Sequence, residues 1–126
     1  MAYDPDNVFA KILRGEIPCK KAYEDDYALA FHDIRPQAKA HVLVIPKGAY
    51  VDMEDFTAHA SVDEIAGFFA AVGRVARELN LARSGYRLIA NAGPDSRQEV
   101  PHFHVHILGG QDMGPMVDAA VRPRHI

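Results

Sequence analysis

Pro101-His-Phe-His-Val-His-Ile-Leu108 is the stretch that decides how the rest of this chain is read. In an extended strand successive side chains point to opposite faces, so His102, His104 and His106 fall on one face and Phe103, Val105 and Ile107 on the other. The apolar face suits a core, and the imidazole face suits chemistry. With 7 His in 126 residues, three at fixed alternate positions arise by chance only about 0.02 times per chain.

Upstream of this row, Gly85 opens a strand over Tyr86 to Asn91, and the turn-rich Ala92-Gly-Pro-Asp-Ser-Arg97 leads into a strand over His102 to Leu108, ended by Gly109-Gly110. Ser61-x-x-Glu64 has the form of a capping box. The positions Val62, Ile65, Phe69, Val72, Val75, Ala76 and Leu79 mark the apolar face of a helix from Ser61 to Leu81, with Arg74, Arg77 and Glu78 toward water. Further back, His41-Val-Leu-Val-Ile45 is nearly continuous in apolar residues and reads as a central strand closed by Pro46 and Gly48. Two β-like runs, 19–24 and 27–33, flank Asp25-Asp26 and predict a hairpin. Before them Asp6 is a plausible N-cap for a short helix over 7–14, stopped by Gly15 and Pro18.

This order does not alternate strand and helix as a parallel doubly wound sheet does, so an antiparallel α+β fold is expected. At 126 residues the chain is one domain's worth, 1–126, with a core over about 6–110 and an arm over 111–126. Hydrophobic residues make up 48% and charged residues 25%, enough to bury a core without staples. The formal charge of −3 offers no general attraction to nucleic acid or anionic lipid. Cys19 is the lone cysteine and the start shows no basic, then apolar, leader, which points to a cytoplasmic setting. No apolar run reaches the ~18 residues a membrane span needs. His59 is expected in a solvated polar loop, and His125, within the last two residues, carries no role.

Two chemistries fit the histidine row. Neutral imidazoles bind zinc, and His-x-His on a strand with His41 as a third donor forms a conceivable ligand set. No Cys pair accompanies it, and Glu99 is the one acidic residue next to the row. The other chemistry is covalent catalysis. One imidazole attacks an electrophile while its neighbours fix its tautomer and stabilise charge. A nitrogen nucleophile suits a phosphoryl centre, whereas a carbonyl centre calls for Ser or Cys beside the base. No Gly-x4-Gly-Lys-Ser/Thr loop is present to cradle phosphate.

The row resembles the signature of the histidine triad (HIT) superfamily, His-φ-His-φ-His-φ-φ, where φ is apolar. Asp6-Asn-Val-Phe-Ala-Lys-Ile12, Gly15-Glu-Ile-Pro18, Tyr23-Glu-Asp-Asp26, Ala30-Phe-His-Asp-Ile34, Pro36-Gln-Ala38, His41-Val-Leu-Val-Ile-Pro-Lys47, Gly85-Tyr-Arg87, Asn91-Ala-Gly93 and Leu108-Gly-Gly110 extend the resemblance to the nucleoside phosphoramidase, or Hint, branch over about 6–116. The resemblance implies a HIT-like fold: a five-stranded antiparallel sheet with one long helix and a short N-terminal helix, two such sheets joining across a homodimer. It further implies hydrolysis of the phosphorus to nitrogen bond in purine nucleoside phosphoramidates, including AMP-amines, AMP-lysine and aminoacyl adenylates. No metal or cofactor is required. Transferred position by position, His104 is the nucleophile that forms a nucleotidyl intermediate, flanked by His102 and His106 and joined by His41. Asn91 and the backbone of Gln98, Glu99 and Val100 hold the α-phosphate. Asp33 takes the ribose hydroxyls, while Phe31, His32 and Ile34 make the base pocket. A neighbouring branch hydrolyses dinucleoside polyphosphates with the same nucleophile, and a non-catalytic nucleotide-binding or scaffold protein is the reading from another class.

The chain departs from relatives at several positions. Asn7, Ala10 and Ala49 stand where some relatives place zinc ligands, so no structural zinc is expected. Glu99 replaces a Ser thought to help the leaving amine, and Ser96-Arg97 replaces small residues that are often Gly. The arm offers Pro115 and Met116 where some relatives have a Trp.

Overall fold

A computed structural model describes residues 2–123. The elements run α1 (Val8–Leu13), β1 (Lys21–Glu24), β2 (Ala28–His32), β3 (Ala40–Pro46), α2 (Met53–His59), α3 (Val62–Glu78), β4 (Tyr86–Ile89) and β5 (Val105–Gly109). The strands form one antiparallel sheet in the order β1-β2-β3-β5-β4. This is the five-stranded α+β architecture expected, with α3 as its long helix.

The sheet's two faces do different work. Ala28 and Ala30 of β2, Val42 and Val44 of β3 and Val105 and Ile107 of β5 pack with Phe68, Ala71, Val72 and Val75 of α3. Phe103 and Phe56 join that layer, their rings stacked at 5.1 Å. The alternate residues, Leu29, Phe31, Leu43 and Ile45, turn the other way and pack with Phe9 of α1. Strand alternation therefore places His41, two before Leu43, and His106, between Val105 and Ile107, on the α1 face.

The helix α3 starts as its sequence predicts. Ser61 Oγ accepts from Glu64 N at 3.1 Å while Glu64 Oε1 accepts from Ser61 N at 3.0 Å, the reciprocal pair of a capping box. The Tyr50 hydroxyl donates to Glu64 Oε2 at 2.7 Å, and the main-chain carbonyl of Tyr50 accepts from Phe103 N at 2.7 Å. The cap is thereby tied to the segment that enters β5.

Several expectations need correction. Asn7, not Asp6, caps α1: its side-chain oxygen accepts from Ala10 N at 2.9 Å, whereas the Asp6 amide is engaged by Asp4 Oδ1. Phe68, fully buried, takes the central position on α3 that the pattern gave to Phe69, because the sheet lies along the 65–68–72–75 stripe and Phe69 is about 100° further round. Val62, at the first helical turn, is 81% exposed for the same reason. His59 ends the helix α2 rather than lying in a loop. That helix is capped by Asp52, anchored by buried Phe56, and too short to show periodicity. Finally, β5 starts at Val105, so His102 and His104 precede the ladder, and β4 ends at Ile89 instead of Asn91.

The arm beyond β5 leaves Gln111 to Val117 without regular structure and makes a single 3-10 turn over Ala119–Val121. Arg87 of β4 fastens it by donating to the carbonyls of Met113, Gly114 and Pro115 at 3.0–3.2 Å. His125 lies outside the described residues.

Candidate active site

His102, His104, His106 and His41 meet on the α1 face, where main-chain groups fix the proton on His102, His104 and His41, and His41 in turn fixes it on His106. His104 Nδ1 lies 2.7 Å from the carbonyl oxygen of His102. A carbonyl can only accept, so Nδ1 carries the hydrogen and Nε2 is left with its lone pair. His102 Nε2 lies 3.0 Å from the carbonyl of Pro46 and by the same reasoning donates to it. At His41 the logic inverts: the Gln37 amide donates to Nδ1 at 3.0 Å, so Nδ1 is bare and Nε2 is protonated. His41 Nε2–H then donates to His106 Nδ1 at 2.9 Å, which leaves the hydrogen of His106 on Nε2. The face thus presents one lone pair, on His104, beside a donor on His106, their rings edge to face at 5.1 Å.

Burial keeps these imidazoles neutral. It pushes His102 and His106 down to about 4, with the neighbouring His104 adding to the effect on both. His104 and His41 are lowered by the same cause, and the carboxylate of Asp33 opposes the shift without reversing it. A cluster of uncharged imidazoles suits a nucleophile that must be unprotonated at neutral pH.

The remaining expected residues are placed unevenly. Phe31 is buried in the α1-face layer, its ring 5.5 Å from that of Phe9. His32 pairs across the ladder with Val42, so strand alternation directs it to the α3 face, while Ile34 is 92% exposed. Asp33 reaches back: Oδ1 accepts from Arg35 N at 2.8 Å and Oδ2 lies 3.5 Å from His41 Nε2. Gln98 spends its side chain on the loop, accepting from Gly93 N and donating to the carbonyls of Val51 and Val100. Ser96 is likewise held, donating to the Gly93 carbonyl at 2.9 Å. Val100 packs on the α1-face layer, Asn91 is half-buried beyond the end of β4, and Glu99 is exposed.

Asp33, His41 and His106 offer ligand atoms within 4.8 Å of one another. Their donor chemistry fits a proton better than a metal ion. His41 Nε2 holds its hydrogen while the Gln37 amide occupies Nδ1, and His106 Nδ1 receives that hydrogen. Ligation by this pair would require expelling the shared proton and breaking the hydrogen bond from the Gln37 amide.

Three contributors carried no chemical signal in the sequence. Phe9 sets its ring edge to face against His104 at 5.0 Å, yet as the apolar stripe of a short helix it reads only as core. Gln37 acts through its main chain. Tyr3 places its hydroxyl 2.6 Å from His102 Nδ1.

The HIT domain family model matches residues 14–113. Over 115 residues the chain is 64% identical to an uncharacterised 13.2 kDa HIT-like protein of Azospirillum brasilense, covering 91% of this chain and 94% of that one. It is 38% identical over 112 residues to the purine nucleoside phosphoramidase of Escherichia coli, covering 89% and 93%. Among solved structures it superposes on a histidine triad protein from Clostridium difficile with a TM-score of 0.82 at 38% identity, over 93% of this chain and 100% of that one. A HIT family hydrolase from Clostridium thermocellum aligns with a TM-score of 0.81 at 39% identity, over 89% and 96%. The chain belongs to the HIT domain family.

Proposed function

We propose that this protein is a hydrolase that cleaves the phosphorus to nitrogen bond of purine nucleoside phosphoramidates through a covalent nucleotidyl intermediate on His104. The observation that carries the reading is the 2.7 Å bond from His104 Nδ1–H to the His102 carbonyl, which leaves Nε2 bare. The likeness to a phosphoramidase over 89% of the chain supports the choice of bond.

In the first step the His104 Nε2 lone pair attacks phosphorus, the bond to the leaving nitrogen breaks, and that nitrogen takes up a proton from water. Positive charge develops on the phosphorylated imidazole and spreads to Nδ1–H, where the His102 carbonyl already accepts. His106 Nε2–H offers a hydrogen bond to a phosphoryl oxygen. Water then attacks phosphorus and gives up a proton to the hydroxide left by the first step, the bond to Nε2 breaks, and the nucleoside monophosphate leaves with the His104 lone pair restored. Asn91 and the backbone at Gln98, Glu99 and Val100 hold the α-phosphate, Asp33 accepts from the ribose hydroxyls, and Phe31 and Ile34 take the base; the side chain of His32, directed to the opposite α3 face, falls outside the pocket that the resemblance gave it. No metal enters this scheme. Glu99, exposed at the loop end, alters the surroundings of the leaving amine.

The reading includes a cytoplasmic homodimer of one-domain chains, in keeping with the free Cys19 and with an edge strand β4 that exposes Tyr86 and Leu88. No helix among the described residues is long and apolar enough to cross a membrane.

The test is turnover of a fluorogenic adenosine phosphoramidate by the native chain and by His104→Ala, with and without EDTA. Release of AMP by the native protein alone, indifferent to EDTA, is expected, with a nucleotidyl adduct on His104 trapped by a denaturing quench in base, where the bond from phosphorus to imidazole survives. If only dinucleoside polyphosphates turn over, the neighbouring-branch activity replaces this one. Tight AMP binding with no turnover of either class would leave a binding protein.

A further inference from the structure

One half-buried bond in the site has no part in the chemistry above. The Tyr3 ring lies edge to face against His102, centroids 5.6 Å apart, and its hydroxyl sits 2.6 Å from His102 Nδ1. His102 is fully buried, and its Nε2–H is committed to the Pro46 carbonyl, so Nδ1 holds a lone pair and the Tyr3 hydroxyl is the donor. Among the described residues no other group supplies a hydrogen to that atom. Tyr3 stands ahead of the residues 14–113 that the family model spans.

We propose that Tyr3 is a positioning residue for the nucleophile: by donating to His102 Nδ1 it locks the His102 ring between two anchors and so fixes the His102 carbonyl that holds His104. The inference rests on the reading of His104 as nucleophile. Its physical basis is a chain of three bonds, from the Tyr3 hydroxyl to His102 Nδ1, from His102 Nε2–H to the Pro46 carbonyl, and from His104 Nδ1–H to the His102 carbonyl. Without the hydroxyl, a buried acceptor is left unpaired. The ring relieves this by rotating, which breaks the bond to Pro46 and moves the main chain that orients His104. Small displacements of a nucleophile from its line of attack cost rate more than binding. The loss therefore falls on the chemical step.

Tyr3→Phe removes the oxygen and keeps the ring, whereas Tyr3→Ala removes both. With the fluorogenic adenosine phosphoramidate, Tyr3→Phe is expected to lower kcat at least tenfold and leave KM within twofold, with Tm within a few degrees of native. Nitrogen-15 NMR of the ring nitrogens is expected to move His102 Nδ1 toward a free lone pair and to speed exchange of the His104 Nδ1 hydrogen. A native kcat in Tyr3→Phe, or loss of rate confined to Tyr3→Ala, overturns the proposal, because the ring rather than the hydroxyl would then matter. An unmoved His102 Nδ1 resonance overturns it as well. If the native chain turns over no phosphoramidate, the functional reading fails and the two NMR signals alone decide the role of Tyr3. Should Tyr3→Phe not fold, the native protein serves: a slowly exchanging Tyr3 hydroxyl proton coupled to His102 supports the proposal, and its absence refutes it.

Discussion

The main-chain amide of Gln37 donates to His41 Nδ1 at 3.0 Å, and this bond decides which nitrogen of His41 bears a hydrogen. From it follows the donor state of His41 Nε2, the acceptor state of His106 Nδ1 and the hydrogen on His106 Nε2.

His41→Leu removes the donor from His106 and leaves its Nδ1 without a partner. Chemical denaturation is expected to show a loss of about 1–3 kcal/mol, the usual cost of an orphaned buried polar group. Turnover is expected to fall by about 10²-fold or more, as when a donor aimed at developing charge is lost. Unchanged turnover would show that His106 keeps its tautomer without His41.

Stability is expected to depend on pH in a defined window. The His102 and His106 imidazoles sit at about 4 in the folded protein, below the ordinary value of 6.5. Between those values the unfolded chain binds more protons than the folded one, so unfolding free energy rises with pH and is lost as pH falls from 6.5 toward 4. Each imidazole contributes a slope of about 1.4 kcal/mol per pH unit at most. Denaturation curves at pH 5.0, 5.7 and 7.0 would measure it, in a range where carboxylates add little. A flat profile would mean that the imidazoles titrate normally in the fold.

Gly67 lies under the ring of Tyr27, and a Cβ there would come within 2.3–2.8 Å of ring atoms. Helix propensity alone predicts that Gly67→Ala gains about 1 kcal/mol. The clash reverses the sign, with a net loss of about 1 kcal/mol expected from forced displacement of the ring. In a Tyr27→Ala background the same change is expected to stabilise. Thermal melts of the four proteins complete the cycle.

The two sheet edges differ. β1 carries Lys21 and Glu24 and a register irregularity, features that discourage pairing, whereas β4 exposes Tyr86 at 40% and Leu88 at 46%. Leu88→Glu is expected to convert a dimer to a monomer in light scattering. A native chain that is already monomeric would remove β4 as the interface.

Most of the architecture was legible because it rests on short-range patterns. The continuous run His41–Ile45, the turn at Asp25-Asp26 and the capping box at Ser61 each dictate a local geometry that tertiary packing did not override. Phe68 and Phe69 show where pattern fails: both suit an apolar stripe, and only the direction of the sheet chooses between them. The site was legible where it depends on side-chain type, in the histidines, and illegible where it depends on main chain. Neither the Gln37 amide nor the Pro46 carbonyl leaves a mark on residue identity. Tyr3, far off in sequence from His102, gives no local pattern, and Phe9 was visible only as core.

The carbonyls of His102 and Pro46 and the amide of Gln37 belong to the polypeptide chain itself. The side chain at 37 can therefore drift freely, since any residue but proline supplies the same amide, and position 46 can change to any residue that keeps the local backbone path. Heredity can rewrite those letters without disturbing the protons they arrange.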